Sequence, residues 1–447
     1  MADEVSARVA VLLVELDSII ARSINTLLHH PVLQRLEALW RNLYFLIQQK
    51  GNAKNVKIRI LDASWPEIGL DVSRAIEFDQ SQLFQKIYTE EFGMPGGEPY
   101  GVIIGDYEVC VRTGPDTSGA QDIATLARLS EIGEAAFVPM IMNVAPLSFG
   151  LDDMTEFETL SRLSDLFQGP HFAAWNGLRN NEQSRFIGLT LPKILVRAPY
   201  ELSQSAGVVF VETLDRAQDY LWGRACFAFA SRLIDAFIHH GWFIEIHGQA
   251  ALEWSGGVVN GLAKLHFATD AEERIARHTA ELYLTDHMEK CLSQLGLIPV
   301  CQTFDSKLPI FFSSYSVQKQ KLAQEALQAN IKISSMLQYL LCACRFAHYV
   351  KMIGRDKIGS YFTPTQCQRY LNDWLRQFVA TNEQLSLSLR ASHPLRSAKV
   401  EIKTQAGMPG SYHCIIHIEP RFQLERIESV FVLTTELSGN TFATGVA

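Results

Sequence analysis

EEFGMPGGEPYGVIIGDYE, running from Glu90 to Glu108, carries more local conformational instruction than any other stretch of the chain. Gly93, Gly96 and Gly97 are free to take positive φ, while Pro95 and Pro99 fix φ and remove backbone donors, so a helix cannot continue past Phe92. The apolar run Gly101–Gly105 then reads as a short buried strand ending in a tight loop that presents Asp106 and Glu108. Two side chains at i and i+2 of an extended segment share a face, which suits acid/base chemistry by paired carboxylates. The same residues also suit a rigid corner, and the stretch alone leaves both readings open.

Working outward, a helix over Ser73–Tyr88 leads into the corner. A helix from Ala120 and a strand at Val138–Met142 follow it, predicting a βαβ unit with the Val102 strand. Upstream, apolar residues at helical spacing (Val9, Leu12, Leu16, Ile19; then Leu33, Leu36, Trp40, Leu43, Ile47) predict two amphipathic helices, and Val56–Ile60 alternates as a strand. Downstream, a helix is expected over Asp153–Leu166. Ser184–Tyr200 reads as a strand at an edge or through a bend, because Pro192 and Pro199 interrupt it. Tyr220–His239 is helical up to Gly241, before a strand at Trp242–Ile246 and a hairpin or surface loop at Gly248–Gly261. Strands at Leu282–Leu284 and Leu297–Val300 flank a helix over Asp286–Leu295, with Gly296 at its end. Ala323–Lys357 is the longest helical pattern, and Thr365–Phe378 is a shorter one. The last part changes character: Ala398, Val400 and Ile402 alternate with charged residues, Gly407–Gly410 turns the chain, and Tyr412–Ile418 and Val430–Leu437 are extended.

At 447 residues the chain can bury a large core, and its 40 basic and 48 acidic residues, net charge −8, give no basic block for nucleic acid. The apolar start is interrupted by Glu15 and Asp17, unlike a signal peptide, and Met336–Ile353 carries Arg345, His348 and Lys351, costly in hydrocarbon. The eight cysteines sit mostly in apolar runs and read as buried thiols in a reducing compartment, since Cys342 and Cys344 point to different faces of a helix. Phosphate-loop, dinucleotide-fold, zinc-protease and nucleophile-elbow motifs are all absent. His29-His30 and His239-His240 fall at helix ends and read as caps, Gly256-Gly257 as a loop, and Arg355-Asp356-Lys357 as a solvated cluster. No metal, cofactor or catalytic group is assigned. The three C-terminal alternating segments need edges to pair with, which strand addition by another chain would supply.

Several long motifs, in order, resemble the large contractile-sheath subunit of bacterial type VI secretion systems, the TssC/VipB/EvpB family. They are LHHPVLQRLEALWRNL (Leu28–Leu43, with Trp40), Ala75–Glu108 (with Gly93, Pro95, Gly96, Gly97, Pro99 and Asp106), SRFIGLTLPKILVRAPY (Ser184–Tyr200), YLWGRACFAFASRL (Tyr220–Leu233, with Trp222), CRFAHYVKMIGRDKIGS (Cys344–Ser360, with Arg345 and His348) and MPGSYHCIIHIEPRFQLERI (Met408–Ile427). The resemblance implies a mixed α/β, tail-sheath-like fold with central mixed sheets flanked by helices. It implies a heterodimer with a small sheath subunit, polymerised with further copies in the bacterial cytoplasm around an Hcp-like inner tube. Such a sheath sits on a baseplate, is anchored at the inner membrane through the machine, and is dismantled by an AAA+ ATPase that reads mainly the small subunit. Neither an active site, nor nucleic acid, nor membrane insertion is implied.

By the same resemblance, residues 1–55 are partner-contacting helices, 56–380 an α/β core of two subdomains, and 381–447 the strand region for an intersubunit sheet. Val400, Ile402, Tyr412, Cys414, Ile416 and Ile418 are its expected strand residues, and proline at Ile402 or Ile416 is expected to block assembly while sparing the remaining fold. This chain starts at the family's first helix, so completion of the sheet by a preceding arm is left open. Other readings are a divergent paralogue at the sheath end or baseplate and, from a different class, an α/β enzyme using Asp106 or Glu108.

Overall fold

Two helices open the chain, α1 (Ala2–Leu28) and α2 (Pro31–Lys50). They belong to a computed structural model that describes residues 2–94, 96–160, 163–200, 210–248, 256–264, 279–302, 308–319, 335–357, 363–379, 391–404, 411–420 and 431–438. His30 is extended and its ring accepts the Val32 N–H, with Pro31 in the first turn; Gly51, at φ 50°, closes the far end by donating to Ile47 and Gln48 carbonyls. Val56–Ile60, expected as a strand, is extended but belongs to no ladder.

A capping box of Ser64 and Glu67 starts α3 (Trp65–Arg74), an element that begins and ends earlier than the expected Ser73–Tyr88 helix. The reason is Asp71, whose carboxylate accepts from Ser81 Oγ and from the backbone N–H of Gln82 and Leu83 at 2.8–3.1 Å. A side chain that satisfies the first donors of the next helix forces a break before it. The following helical run, Gln82–Gly93, contains a π turn at Gln85–Thr89.

The expected βαβ unit is present. Strands β1 (Ile103–Val109) and β2 (Met140–Val144) are parallel and joined through α4 (Gly119–Ala136). Strand β1 does not stop at Gly105: Asp106 lies inside a register shift between Ile104 and Glu108, and Glu108 is where the pairing with β2 resumes. A Cβ at Gly105 would come within 2.7 Å of Met142, so the irregularity needs glycine. Helix α5 (Ala173–Asn180) precedes β3 (Ile187–Leu191), which is the middle strand of the five-stranded sheet rather than an edge. The bend falls at Pro192, after which β4 (Ile194–Arg197) pairs antiparallel with β5 (Leu221–Gly223) in a separate two-stranded sheet.

Helix α6 (Ala225–His240) ends at Gly241, φ 75°. The residues after it, Trp242–Ile246, are buried but form bends and not a strand, and 282–284 are likewise outside any strand. The expected helix at 153–166 is a series of 3-10 turns. Helix α7 (Asp286–Gln294) leads through Gly296, φ 80°, into β6 (Ile298–Gln302), parallel to β3; β7 (Pro309–Phe311) then turns back antiparallel. The sheet order is thus β1-β2-β3-β6-β7.

Both faces of this sheet are covered, which is why β2 and β3 are buried at every position and mostly apolar, the buried Thr190 hydroxyl being satisfied by Asn143 and the Met142 carbonyl. On β2, Ile141 packs into one core, while Met140, Met142 and Val144 pack into the other. Gly188 on β3 admits helix α8 (Leu337–Lys357), because a Cβ there would meet Leu337 at 2.9 Å. The expected helix start at 323 lies outside the described residues. Helix α9 (Pro364–Arg376), capped by Thr363 and Gln366, then packs on a three-stranded antiparallel sheet: β8 (Leu395–Thr404), β9 (Ser411–Pro420) and β10 (Phe431–Ser438), with β9 in the middle.

Candidate assembly surfaces

The corner at 90–108 is held from two directions. Within it, Gly97 passes so close to the Glu91 carbonyl that a Cβ would lie 2.0 Å from the oxygen, and Gly96 sits at φ 84°. Gly93, by contrast, has open space and no positive φ, so its expected role as a left-handed residue is not the one it has. Pro95 lies outside the described residues; Pro99 is buried. The buried Glu91 carboxylate accepts the Glu98 N–H at 2.7 Å and pairs with Arg59.

From outside, α8 clamps the corner. Arg355 Nη1 donates to the carbonyls of Phe92 and Met94 at 3.0 and 3.2 Å, so this residue turns inward instead of joining a solvated cluster. Lys351 lies over the rings of Tyr88 and Phe92, at 4.4 and 5.2 Å. His348 is fully buried, its ring 5.6 Å from that of Phe92, and Nε2–H donates to the Ala136 carbonyl at 3.0 Å. Burial pushes its pKa down to about 4, so the ring is neutral. Arg345, one turn earlier, stacks on Tyr349 at 4.6 Å.

Asp106 and Glu108 are ion-paired across to the small sheet. Asp106 meets Arg224 at 2.6 Å, and Glu108 meets Lys193 at 3.1 Å and Arg224 at 4.0 Å. Each carboxylate is therefore engaged by a cation, and a role in tying β1 to β4 and β5 replaces the acid/base pair. Nearby Glu281 was not singled out by sequence: burial pushes its carboxyl up to about 7, and Oε2 has no hydrogen-bond partner. Seven of the eight cysteines are buried and all are free thiols; no group of His, Cys, Asp and Glu suited to a metal occurs among the described residues.

The C-terminal sheet turns its apolar side chains into its own chain. Val400, Cys414, Ile416 and Ile418 are buried, Ile402 is half-buried, and the Tyr412 side chain lies outside the described set although its backbone pairs with Thr404 and Leu437. The outer edge of β8 is closed by side-chain amides. Asn372 on α9 accepts the Val400 N–H at 2.9 Å and donates to the Val400 carbonyl at 3.0 Å, and Gln368, one turn away, accepts the Ile402 N–H at 3.0 Å. Further along, Leu395 N–H donates to the Phe378 carbonyl. Two carboxamides thus stand in for a fourth strand. Ile402 spends its donor inside the chain, and Ile416 is paired with both Val400 and Leu433. Proline at either position would therefore damage the chain's own fold, contrary to expectation.

Helix α1 is the opposite case. Val9, Leu12, Val14, Leu16 and Ile19 are all about half or more exposed, and on α2 Trp40 is 61% exposed beside Leu36 and Tyr44. The join to the body is polar: Asn25 bonds Thr213, and His29 meets Glu212 at 3.3 Å. Glu212 forms a buried bidentate pair with Arg197, which also reaches Glu37 on α2 at 3.0 Å. Burial works to raise the Glu212 carboxyl, but hydrogen bonds from Arg197 and the Tyr200 N–H outweigh it and hold it below the ordinary carboxylate range. Trp222 on β5 donates its Nε1–H to the Ala217 carbonyl at 2.7 Å. Among the described residues no helix is long and apolar enough to cross a membrane.

Among the described residues, a mixed α/β body carries exposed apolar side chains along α1 and on α2, a surface suited to packing against another chain. Family models agree: residues 11–318 match "EvpB/VC_A0108, tail sheath N-terminal domain", and residues 326–437 match "EvpB/VC_A0108, tail sheath gpW/gp25-like domain". The type VI secretion system sheath protein TssC1 of Pseudomonas aeruginosa is 33% identical over 430 residues, covering 94% of this chain and 84% of that protein. A chain of the anti-feeding prophage baseplate aligns at TM-score 0.38 and 8% identity, over 88% of this chain and 82% of that one, a likeness too loose to say more. The chain belongs to the TssC/VipB/EvpB family of type VI secretion tail-sheath proteins and is a structural sheath subunit.

Proposed function

We propose that this chain is the large subunit of a type VI contractile sheath in the bacterial cytoplasm. It pairs with a small sheath subunit, polymerises helically with further copies around an Hcp-like tube, and sits on a baseplate linked to the inner membrane. Contraction is a rigid-body change between two packings of the same subunits, and an AAA+ ATPase dismantles the product through the small subunit. No catalytic step is assigned to this chain; Asp106 and Glu108 serve its architecture.

The observation that carries the reading is helix α1, whose apolar side chains from Val5 to Ile19 stand largely exposed among the described residues. Such a surface marks an interface, and each large apolar side chain contributes about 1.5–3 kcal/mol when a partner buries it. We assign α1 and the exposed side of α2 to contact with the small subunit. The strands carrying Val400, Ile402, Tyr412, Cys414, Ile416 and Ile418 are assigned to the sheet shared with neighbours, reached through the outer edge of β10, because β8 is closed at 400–402. Co-expression with the small subunit and negative-stain microscopy test this: tubes or rings are expected. Monodisperse single chains under all conditions would overturn it.

A further inference from the structure

Val56–Ile60 has the pattern of a strand, the conformation of extended chain, and no sheet. Val56 and Ile58 are half-buried, while Lys57 and Arg59 point outward, so 56–59 already have an inner and an outer face; Ile60, at the end of the segment, is exposed. Those outward side chains are fixed: Lys57 meets Glu98 at 2.5 Å, and Arg59 meets Glu91 and the Tyr100 hydroxyl. Yet among the described residues no backbone–backbone hydrogen bond involves any residue from 54 to 62, and the Ala63 carbonyl just beyond is taken by the Tyr107 hydroxyl. Backbone groups of a folded chain are obligatory hydrogen-bonding groups, and a preformed row of unspent ones is a template for another strand.

The surroundings say what strand. Lys50–Arg59 lines an open concavity of about 610 Å³ with four cations and no acidic residue, and Lys50 and Lys54 have no ion-pair partner among the described residues. A second copy of the same segment would set Lys54, Lys57 and Arg59 against their own counterparts, a like-charge arrangement that is destabilising across paired strands. We infer that Val56–Ile60 is a strand-addition site for an extended segment of a different polypeptide that alternates apolar and acidic side chains. Resting on the sheath reading, this segment belongs to the small sheath partner. Main-chain bonds supply the hold, and Lys50 and Lys54 select for acidic residues.

Amide hydrogen exchange, measured on the isolated full chain and on the complex co-purified with the small sheath subunit, tests this. In the isolated chain the amides of 56–60 should exchange close to the rate of unstructured peptide. In the complex, one alternate set of them should slow by about 100-fold or more, since only every second residue of an edge faces the added strand. Lys57→Pro and Ile58→Pro provide a second reading: neither removes an intrachain backbone hydrogen bond, and the exposed Lys57–Glu98 pair lost with Lys57 is controlled by Lys57→Ala, so both should fold, but only one should lose the partner. Lys54→Glu should lower co-purified yield several-fold without changing the melting temperature of the chain alone. Protection already present in the isolated chain, or arising from its self-association, overturns the inference. A complex that polymerises while 56–60 stays unprotected overturns it alone; failure to form any complex overturns the sheath reading with it.

Discussion

Replacing Asn372 with alanine should be the most costly single truncation on the surface of α9. Val400 is fully buried, and Asn372 satisfies both its N–H and its carbonyl. Losing the carboxamide orphans a donor and an acceptor, each worth about 1–3 kcal/mol when left unpaired, so the gross cost is about 2–6 kcal/mol. Asn372 is itself half-buried, which lets water reach part of the vacated site, and the expected net loss is about 3 kcal/mol. Gln368→Ala removes one bond, to Ile402 N–H, and should cost about 1 kcal/mol. Asn372→Asp keeps the acceptor for Val400 N–H but sets a charge against its carbonyl, so it should fall between the two. Urea denaturation followed by the combined fluorescence of the seven tryptophans, Trp374 on the same helix among them, reads all three variants. Should Asn372→Ala lose less than about 0.5 kcal/mol, or no more than Gln368→Ala, the carboxamides are incidental contacts and the edge of β8 is not closed by them.

Gly97→Ala should destabilise the chain by several kcal/mol, since its Cβ would overlap the Glu91 backbone, whereas Gly93→Ala, in open space at the last residue of a helix, should be neutral or slightly stabilising in thermal melts. His348 titrates below its unfolded value, so its contribution to stability is complete above about pH 6.5 and lost as pH falls toward 4; His348→Gln should flatten that acid limb. Glu281 has the opposite sign: its folded pKa, about 7, is raised, so stability falls as pH rises from about 4.5 through 7, and Glu281→Gln should melt higher than the parent at pH 8 but not at pH 5. Arg197→Met should cost about 3–5 kcal/mol because it strands the buried Glu212 carboxylate, while Arg197→Met with Glu212→Leu should recover much of the loss in a double-mutant cycle.

What the sequence made legible was whatever depends on local chemistry. Pro31 and His30 announced the start of α2, Gly241 and Gly296 the ends of α6 and α7, and the apolar run at 138–142 a strand, whereas 184–200 was legible as extended with a bend but not as containing the central strand β3. The apolar run at 242–246 reported burial, and the alternation at 56–60 did so for Val56 and Ile58 but not for the exposed Ile60; neither reported pairing, because a ladder requires a second strand that no local pattern can reveal. The break after Arg74 comes from Asp71 reaching ten to twelve residues ahead. At longer range still, Arg197 finds Glu37 across 160 positions, and Asn372 finds Val400 across 28. Polar residues on amphipathic helices look solvated in sequence, so neither contact left a signal.

The closed and open edges bear on how a sheath subunit is wired. A subunit that must stay linked while its neighbours rotate is better joined by main-chain ladders than by side-chain contacts. Each backbone bond adds about 0.5–1.5 kcal/mol net and does not depend on which side chains face which after the shift. Such edges are hazardous before assembly, when any chain can add to them. On β8 the chain covers 400–402 with Asn372 and Gln368, which leaves β10 as the outer strand of that sheet. At 56–60 no strand or side-chain cap pairs with the backbone among the described residues, and the cations around the segment restrict what can bind instead. One edge is thus guarded by hydrogen bonding and the other by charge. The two should respond differently to salt: raising ionic strength should weaken selection at 56–60, where exposed lysines are screened, and leave the carboxamide closure of β8 unchanged.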